Sequence, residues 1–351
     1  MGALSSVFGN ALQGAKLKPV ALLPPTGFTS EFVVDTILGQ LNWTDTNAGT
    51  AQYEVYSVTN EAEPVLLATT EVGVTSYQDS TCKQNASVIY SIRAKKESEL
   101  TDLVAATELA TPLCLKTNQA VLTQVVINLL NIEAGKYINI DWGDNTNNEY
   151  SGANSDITKD YLSQGVKNIR ISGDTDFIEK LACGYQSHLF GSITNLILPS
   201  KLTWLDLYST GITGSISDWI IPANLTSLRI YSTGITGSIP KMAISSPTKG
   251  LNYQAQSCNL SDSSVTVFRK AMSVFNISNQ KVTYVTANID KLLKAIADFY
   301  EFNPPTSNCT YTLSGANMGI PTGGASNADI TRLVGYYTSA GSTCTIFVRT
   351  S

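Results

Sequence analysis

The chain has 351 residues, of which 15% are charged and 43% are hydrophobic. An average globular protein has about 25% charged residues, so this chain is polar but sparsely charged, and its hydrophobic fraction argues against disorder. The net charge of −5 gives no reason to expect nucleic acid or an anionic membrane as a partner. The single histidine, His188, excludes catalytic pairs and zinc sites that need two or more histidines.

The six cysteines lie at positions 82, 114, 183, 258, 309 and 344, too far apart for a CxxC metal or redox motif. We expect them to be buried free thiols, because no export signal is visible. A disulfide between Cys309 and Cys344 is the alternative. We also expect no membrane span, because no apolar run reaches the necessary ~20 residues.

Residues 1–18 form a distinct opening segment that ends at a proline. Leu4, Val7, Phe8 and Leu12 recur at helical spacing, with glycines between them. Such a segment is either a frayed terminus or a short arm whose apolar side docks on a partner. We adopt the anchoring arm as the hypothesis.

Residues 19–115 contain short alternating runs separated by turn residues, which is the pattern of antiparallel strands. Leu41 and Trp43 alternate in one run, Tyr53 lies in the next, and Tyr90 lies in a later one. A proline start followed by LxW, YxVY, TSYxD and YxIxA resembles a fibronectin type III domain. The resemblance implies a two-sheet sandwich with Trp43 and Tyr90 buried between the sheets.

Residues 116–175 read as a smaller β module. A strand ends in the turn Asp141-Trp142-Gly143-Asp144, which resembles the WGDG-type turn of PKD-like modules, although Asn145 replaces the last glycine. Asp141 and Asp144 are a calcium candidate, because hard oxygen ligands suit that ion. The alternative is a turn held by Asx hydrogen bonds. We expect the turn, and therefore no metal.

Residues 176–351 contain an internal repeat. Leu202–Ile216 recurs as Leu225–Ile239, and YSTGITGSI is repeated letter for letter. The 23-residue offset and the LxxLxL pattern resemble leucine-rich repeats, with Thr210 and Thr233 in place of the usual asparagine. The resemblance implies an α/β solenoid.

Downstream, the hydrophobic spacing predicts helices over residues 262–275 and 288–301 on the convex side of the solenoid, the second with Asn288 as its N-cap. A helix over 327–337 and a strand over 344–348 would then form a cap that closes the exposed core. The complete prediction is a multidomain chain with an all-β sandwich, a PKD-like β module and an α/β leucine-rich-repeat-like solenoid.

The repeat also predicts one candidate binding surface. In LxxLxL the leucines point inward and the residues between them point outward. Trp204, Asp206 and Tyr208 would then share the outer face with Arg229 and Tyr231 of the next repeat. Aromatic side chains beside a charge pair suit contact with a protein or a glycan. A solubilising face with its own cross-strand pairs is the alternative.

We found no catalytic motif, such as GxSxG, a P-loop or HExxH, and therefore expect neither an enzyme nor a cofactor. The series of modules resembles surface proteins of gut bacteria and accessory structural proteins of tailed phages. We expect a virion protein, namely a head fibre, a capsid decoration or a tail-attached protein, present in many copies or as a homo-oligomer. Its partners would be capsid or tail proteins and possibly a host surface protein or glycan. The alternative is a secreted or cell-surface bacterial adhesin.

Overall fold

The computed structural model describes residues 21–119, 124–242, 250–262 and 271–349. The chain divides into two compact units. Unit 1 contains the segment that ends at Glu31 together with Gly39–Asp79 and Val88–Leu109, and unit 2 contains Phe32–Leu38, Ser80–Ser87 and Ala110–Ser351. Both units are built mainly from β-strands. The anchoring arm, with Leu4, Val7, Phe8 and Leu12, lies outside the described residues and stays a prediction.

The sandwich region has nine strands among its described residues. They are Thr26–Val33 (β1), Leu38–Thr44 (β2), Gln52–Thr59 (β3), Val65–Thr69 (β4), Ser76–Asp79 (β5), Ala86–Lys96 (β6), Glu99–Leu100 (β7), Val104–Ala105 (β8) and Leu109–Thr111 (β9). One sheet has three strands in the order β1-β2-β5, and the other has the order β4-β3-β6-β7, with β8 and β9 also pairing with β6.

The aromatic residues that the sequence predicts to be buried lie between these sheets. Trp43 is 5% exposed and Tyr90 is fully buried, which confirms both as core residues. The Trp43 ring packs against that of Tyr53 with centroids 5.5 Å apart. The Tyr90 hydroxyl donates to Asp79 at 2.9 Å, and it lies where a Cβ at Gly39 would be only 2.3 Å away. A side chain at Gly39 would therefore displace the tyrosine.

A buried carboxylate joins the two central strands of the larger sheet. Glu54 on β3 lies directly opposite Arg93 on β6. Arg93 donates through Nε and Nη2 to one oxygen of Glu54 at 2.8 and 2.7 Å, and Lys95 donates to the other at 2.8 Å. The hydrogen bond from Lys95 is the largest influence and, against the effect of burial, lowers the pKa of Glu54 to about 2.

Unit 2 begins with antiparallel strands and continues with parallel ones. The antiparallel strands are Leu113–Gln119 (β10), Gln124–Ile132 (β11), Tyr137–Asp141 (β12), Asn147–Ser151 (β13), Ala153–Asp160 (β14) and Gly165–Gly173 (β15). The strands that follow are Ile178–Ala182 (β16), Leu189–Ser192 (β17), Trp204–Asp206 (β18), Gly211–Ser215 (β19), Ile220–Ile221 (β20), Ser227–Arg229 (β21), Gly234–Ser238 (β22), Lys241–Met242 (β23), Leu251–Gln254 (β24), Asn259–Asp262 (β25), Met272–Asn276 (β26), Cys309–Leu313 (β27) and Cys344–Val348 (β28).

The parallel strands stack into a β-solenoid of about three turns. One sheet continues through β16-β18-β21-β24-β26-β27-β28 and the other through β17-β19-β22-β25. From β16 to β25 each turn therefore contributes one strand to each sheet, whereas β26, β27 and β28 extend only the first sheet. The leucines and isoleucines of the repeat lie between the sheets and are buried. The prediction of an α/β leucine-rich-repeat solenoid is therefore wrong. After the LxxLxL strand, the short Gly-Ile-Thr-Gly-Ser stretch forms a second strand, because it is rich in glycine and β-branched residues rather than helix formers.

The two threonines at the repeat's asparagine position hold the bend between those strands. The Thr210 hydroxyl donates to the Leu207 carbonyl at 2.7 Å and accepts from the Ile212 amide at 3.4 Å. Thr233 makes the same pair of bonds one turn later, at 2.8 and 3.4 Å. Both threonines are buried. A hydroxyl satisfies the backbone at this corner, which explains why asparagine is not required.

The glycines of the repeat are needed for close approach between turns. Gly214 and Gly237 have φ angles of +110° and +96°. A Cβ at Gly214 would lie 2.7 Å from the Thr194 amide, and one at Gly237 would lie 2.5 Å from the Ser217 hydroxyl. Any other residue would therefore be strained in its backbone and would separate neighbouring turns.

Two helices follow the last described strands of the repeat, Thr286–Phe302 (α1) and Ala328–Ser339 (α2). They confirm the helices predicted over 288–301 and 327–337, and β28 confirms the strand predicted over 344–348. The helix predicted over 262–275 is wrong at its end, where β26 is a strand in register with β24; residues 263–270 lie outside the described part of the chain.

The sequence predicts where α2 begins more closely than where α1 begins. Asn327 caps α2, with its side chain accepting from the Asp329 and Ile330 amides. Asn288, in contrast, is not the cap of α1, which begins one turn earlier after Val285. Among the described residues no helix is long and apolar enough to cross a membrane.

The sheets of unit 2 are continuous across residue 175, where the sequence predicts a domain boundary. Strand β10 pairs with both β15 and β17, and β11 pairs with both β14 and β16. The predicted boundary near residue 115 lies close to Ala110, where the second unit resumes. We therefore expect residues 110–351 to unfold together.

The cysteines are all free thiols in the structure, five of them buried and Cys344 half-buried. Cys309 and Cys344, the alternative disulfide pair, lie directly opposite each other on β27 and β28. Burial raises the pKa of Cys309 to about 11 and that of Cys344 to about 12. Neither thiol is therefore activated for exchange chemistry at neutral pH.

The ion pairs of Glu54 with Arg93 and Lys95 predict a contribution to stability that depends on pH. Replacing Glu54 with glutamine should lower the free energy of unfolding by about 2 kcal/mol at neutral pH, because two cations lose their shared carboxylate. The folded pKa lies below the unfolded one, so this contribution is present above pH ~4.5 and is lost as the pH falls towards 2. Urea unfolding across this range measures it, with the exposed Glu99→Gln as control. A difference that stays constant with pH would contradict the assignment.

Candidate binding face of the solenoid

The structure brings the five predicted surface residues together on two neighbouring strands. Trp204 and Asp206 lie on β18 with Tyr208 two residues later, and Arg229 lies on β21 with Tyr231 two residues later. The parallel register sets Asp206 directly beside Arg229. The 23-residue repeat therefore places equivalent positions of successive turns side by side.

One guanidinium connects three neighbouring side chains, and we call this group the Arg229 cluster: Asp206, Tyr208, Arg229 and Tyr231. Arg229 donates through Nη1 to Asp206 Oδ2 at 2.9 Å and through Nη2 to the Tyr231 hydroxyl at 3.1 Å. Its guanidinium carbon lies 4.6 Å from the centroid of the Tyr208 ring. A cation over an aromatic face adds to the stabilisation by the ion pair. Three neighbouring side chains therefore fix the position of the Arg229 guanidinium.

The tyrosines of successive turns form a row. The Tyr208 and Tyr231 rings are stacked, with centroids 4.7 Å apart and planes at 16°. Tyr185 extends the row at one end, 6.4 Å from Tyr208, and is 80% exposed. Sequence reasoning missed Tyr185, because the turn that carries it has no LxxLxL match. Its position after β16, equivalent to the turn residues after β18, was the available signal.

Two residues at the predicted outward positions, Asp206 and Ser227, are buried, although a face that only keeps the protein soluble would expose them. Asp206 is 5% exposed and Ser227 is 3% exposed. Burial raises the pKa of Asp206 above its usual range, although the Arg229 guanidinium acts to lower it. The neighbouring aromatic rings therefore shield this charge pair from solvent.

The same face also has polar atoms that the described residues leave without a hydrogen-bond partner. These buried atoms are Ser227 Oγ, Arg229 Nε and Gln256 Oε1. The Trp204 indole and the Tyr208 backbone amide lie beside the Asp206 carboxylate, and both act to lower its pKa. Buried polar atoms are nearly always paired with protein or water. These three atoms are covered by their neighbours, so they lie beneath the face and not on its contact surface.

The calcium candidate has a different arrangement. Asp141 accepts from the Gly143 amide at 2.9 Å and pairs with Arg170 at 3.2 Å. Asp144 accepts from the Thr146 amide at 3.1 Å and pairs with Lys159 at 2.8 Å. Burial acts to raise the pKa of Asp144, but the bonds from Lys159 and Thr146 lower it overall.

Both carboxylates of the calcium candidate are thus occupied by turn amides and cations. In the part of the chain that the structure describes, no group of three or more histidine, cysteine, aspartate or glutamate side chains could hold a metal ion.

Comparisons with known proteins give little further information. No protein-family model matches the sequence, and no curated protein matches it. One solved structure, the selenomethionine-substituted chicken interferon gamma receptor alpha chain, aligns with 43% of this chain and 82% of its own chain at 13% identity, with a TM-score of 0.23. At this TM-score the alignment carries no argument about fold or function.

The Arg229 cluster predicts a large cost for removing its cation. Arg229→Ala should lower the free energy of unfolding by about 3 kcal/mol, because it leaves the buried Asp206 carboxylate unpaired. This loss in the free energy of unfolding should become smaller at acidic pH, because a protonated Asp206 carries no charge for Arg229 to pair with. Thermal and urea unfolding measure both effects.

Arg170→Ala is the matched control, since its ion pair with Asp141 is largely exposed and should contribute under about 1 kcal/mol. If Arg229→Ala costs no more than Arg170→Ala at neutral pH, the cluster does not stabilise the face.

Proposed function

We propose that this chain is a non-enzymatic virion structural protein of a tailed phage that displays a binding face to the surroundings of the particle. A head fibre, a capsid decoration or a tail-attached protein are the forms that its modules suit. The polar, sparsely charged composition supports an exposed structural role. A β-solenoid supports it too, because stacked turns create a rigid extended surface for recognition.

The single observation that carries the binding role is the Arg229 cluster beside the exposed ring of Tyr185. Aromatic and arginine side chains fixed on a sheet are the residues that contribute most at binding surfaces. Arg229 holds Asp206 and Tyr231 at 2.9 and 3.1 Å before any partner arrives.

The module assignments belong to the same proposal. The division into β1-β2-β5 and β4-β3-β6 with β8 supports a fibronectin type III-like sandwich in unit 1. A PKD-like origin of residues 116–175 is supported by Trp142 and Tyr161, which are both buried. The Tyr161 hydroxyl donates to the Trp142 carbonyl at 2.9 Å, so a buried tyrosine holds the turn that carries the resemblance.

The alternative proposal is a secreted or cell-surface bacterial adhesin that binds a protein or a glycan. The same face would serve an adhesin, because the Arg229 cluster has the same structure whether the protein belongs to a virion or to a bacterial surface. The two proposals differ in where the protein is found, and the discovery of genes for capsid, portal or tail proteins beside this one would favour the virion.

The opening arm supplies a test of the virion proposal. Residues 1–18 would anchor the protein to a shell through Leu4, Val7, Phe8 and Leu12, each contributing ~1.5–3 kcal/mol when buried, less the entropy of ordering the arm. Deleting residues 2–17 should abolish incorporation into purified particles while the protein stays folded and soluble. Quantitative mass spectrometry of the particles measures the copies retained.

A second variant with these four residues changed to serine keeps the arm's length and should behave like the deletion. Full occupancy of both variants would show that the arm is not the anchor. Absence of the unaltered protein from particles would contradict the virion proposal itself and favour the adhesin.

A further inference from the structure

The sheet that carries the Arg229 cluster ends in a strand with one open edge. This nine-stranded sheet runs from β14 to β28, and among the described strands β28 pairs only with β27. The Cys309 amide of β27 donates to the Thr343 carbonyl at 3.1 Å, and backbone groups alternate in direction along a strand. The residues of β28 that direct their N–H and C=O groups to the open edge are therefore Cys344, Ile346 and Val348.

This edge lacks the residues that usually prevent two strands from pairing. Charged side chains and prolines are common protections of an exposed edge. The edge strands at the other ends of the two large sheets carry charges, namely Glu149 in β13, Asp156, Lys159 and Asp160 in β14, and Asp262 in β25. β28 reads Cys-Thr-Ile-Phe-Val and has neither a charge nor a proline. Among these edges it is the one best suited to accept another strand.

The side chains of β28 divide between a covered and an exposed face. Cys344, Ile346 and Val348 are half-buried and pack against the core. Thr345 and Phe347 point to the other side, where Phe347 is 53% exposed. A strand added at the edge would therefore continue the core on one face and cover part of the Phe347 ring on the other.

The helix above this edge continues the uncharged surface. Arg332 of α2 donates to Asp298 and Glu301 at 3.1 and 2.9 Å, which identifies the side of α2 that faces α1. Val334 lies on the opposite side, because two residues rotate a helix by about 200°, and it is 38% exposed. Thr338, one turn later, is exposed beside it. Because α2 leads from β27 into β28 and α1 leads from β26 into β27, this side of α2 lies towards the open edge.

We propose that two copies of this chain form a dimer by antiparallel pairing of their β28 strands, with the Val334 sides of the two α2 helices facing each other. The two-fold axis passes between Ile346 and its copy, and Cys344 lies opposite Val348 of the second copy. Each edge-directed residue then exchanges backbone hydrogen bonds with the residue opposite it. On the exposed face Thr345 lies opposite Phe347, and a β-branched residue beside an aromatic one stabilises a strand pair.

The strand is complementary to its own copy in charge as well as in register. A two-fold interface joins the same surface of both copies, so any charge at its centre would meet itself. β28 has none, and the next charge along the chain, Arg349, donates to the Met318 carbonyl at 3.3 Å. In the dimer Arg349 would lie opposite Thr343 and not opposite another cation.

The dimer has a consequence for the proposed binding face. Opposite residues of an antiparallel pair point to the same side of the sheet, so the two Arg229 clusters would lie on the same side of one continuous sheet. Two linked copies of a binding surface retain a repetitive ligand better than one copy does. The inference goes beyond the proposed function, and the dimer itself does not depend on whether the protein belongs to a virion or to a bacterial surface.

Sedimentation velocity of the full chain between ~1 and ~200 μM tests the dimer, with an expected dissociation constant of ~1–100 μM because a strand edge and a helix side form a small interface. Val334→Glu should weaken dimerisation at least about tenfold by setting two carboxylates against each other. Val348→Pro should have a similar effect, because it removes an amide that points to the edge. Val166→Glu, at an exposed valine on β15, is the matched control and should leave dimerisation unchanged.

Cysteine pairing tests the register of the strands. Copies with Thr345→Cys are mixed with copies with Phe347→Cys, both in a Cys344→Ser background. These positions would face each other at a Cα distance of about 4.5 Å, within the range that a disulfide spans. Mild oxidation should therefore give disulfide-linked dimers in the mixture and far fewer from either variant alone.

The proposal is overturned if the chain stays monomeric at ~200 μM, well above the expected dissociation constant, or if the dimer withstands both Val334→Glu and Val348→Pro. A dimer that is lost on deleting residues 2–17 but withstands Val334→Glu would also overturn it, by indicating that the opening arm makes the contact. Circular dichroism melting checks that each variant stays folded. Val334→Glu keeps the test decisive even if Val348→Pro unfolds the end of the sheet, because Val334 is exposed.

Discussion

The stacking of parallel strands at a fixed spacing is the constraint on which the rest of unit 2 depends. Each turn buries its leucines and isoleucines only because the next turn covers them. The backbone bonds between turns, such as that from the Leu207 amide to the Arg229 carbonyl at 2.8 Å, hold the spacing at one strand width. Gly214 and Gly237 permit this approach at the second corner, and the threonines at the first corner satisfy the bent backbone.

The same spacing produces the outer face. When a residue type recurs after one full turn, its copies lie side by side, so the repeated tyrosines stack at 4.7 Å. Where the repeat changes from Asp206 to Arg229, the copies form an ion pair. On the preceding turn the equivalent positions hold Ala182 and Gly184, and the Tyr208 ring packs over the glycine, where a Cβ would lie 2.6 Å from it. Recognition chemistry on this face therefore follows from small departures from an otherwise regular repeat.

The sequence predicts the sandwich core, the neighbouring positions of Asp206 and Arg229, and both C-terminal helices, because each depends on local periodicity. It does not predict the β-solenoid, because LxxLxL fixes only the first strand of each turn. The sequence does not predict how the turn after β16 is held, for another reason. Gln186 bonds to Val126 across about sixty residues of chain, and a single sequence carries no signal for such contacts.

The continuity of unit 2 is the central claim, and native-state amide hydrogen exchange as a function of denaturant tests it most directly. Because β10 and β11 bond to strands on both sides of residue 175, the slowest amides of residues 113–173 and of the solenoid strands should merge into one global opening. If residues 113–173 instead exchange through a separate opening of lower free energy while the solenoid stays protected, the two parts are independent domains and this account of the fold is wrong.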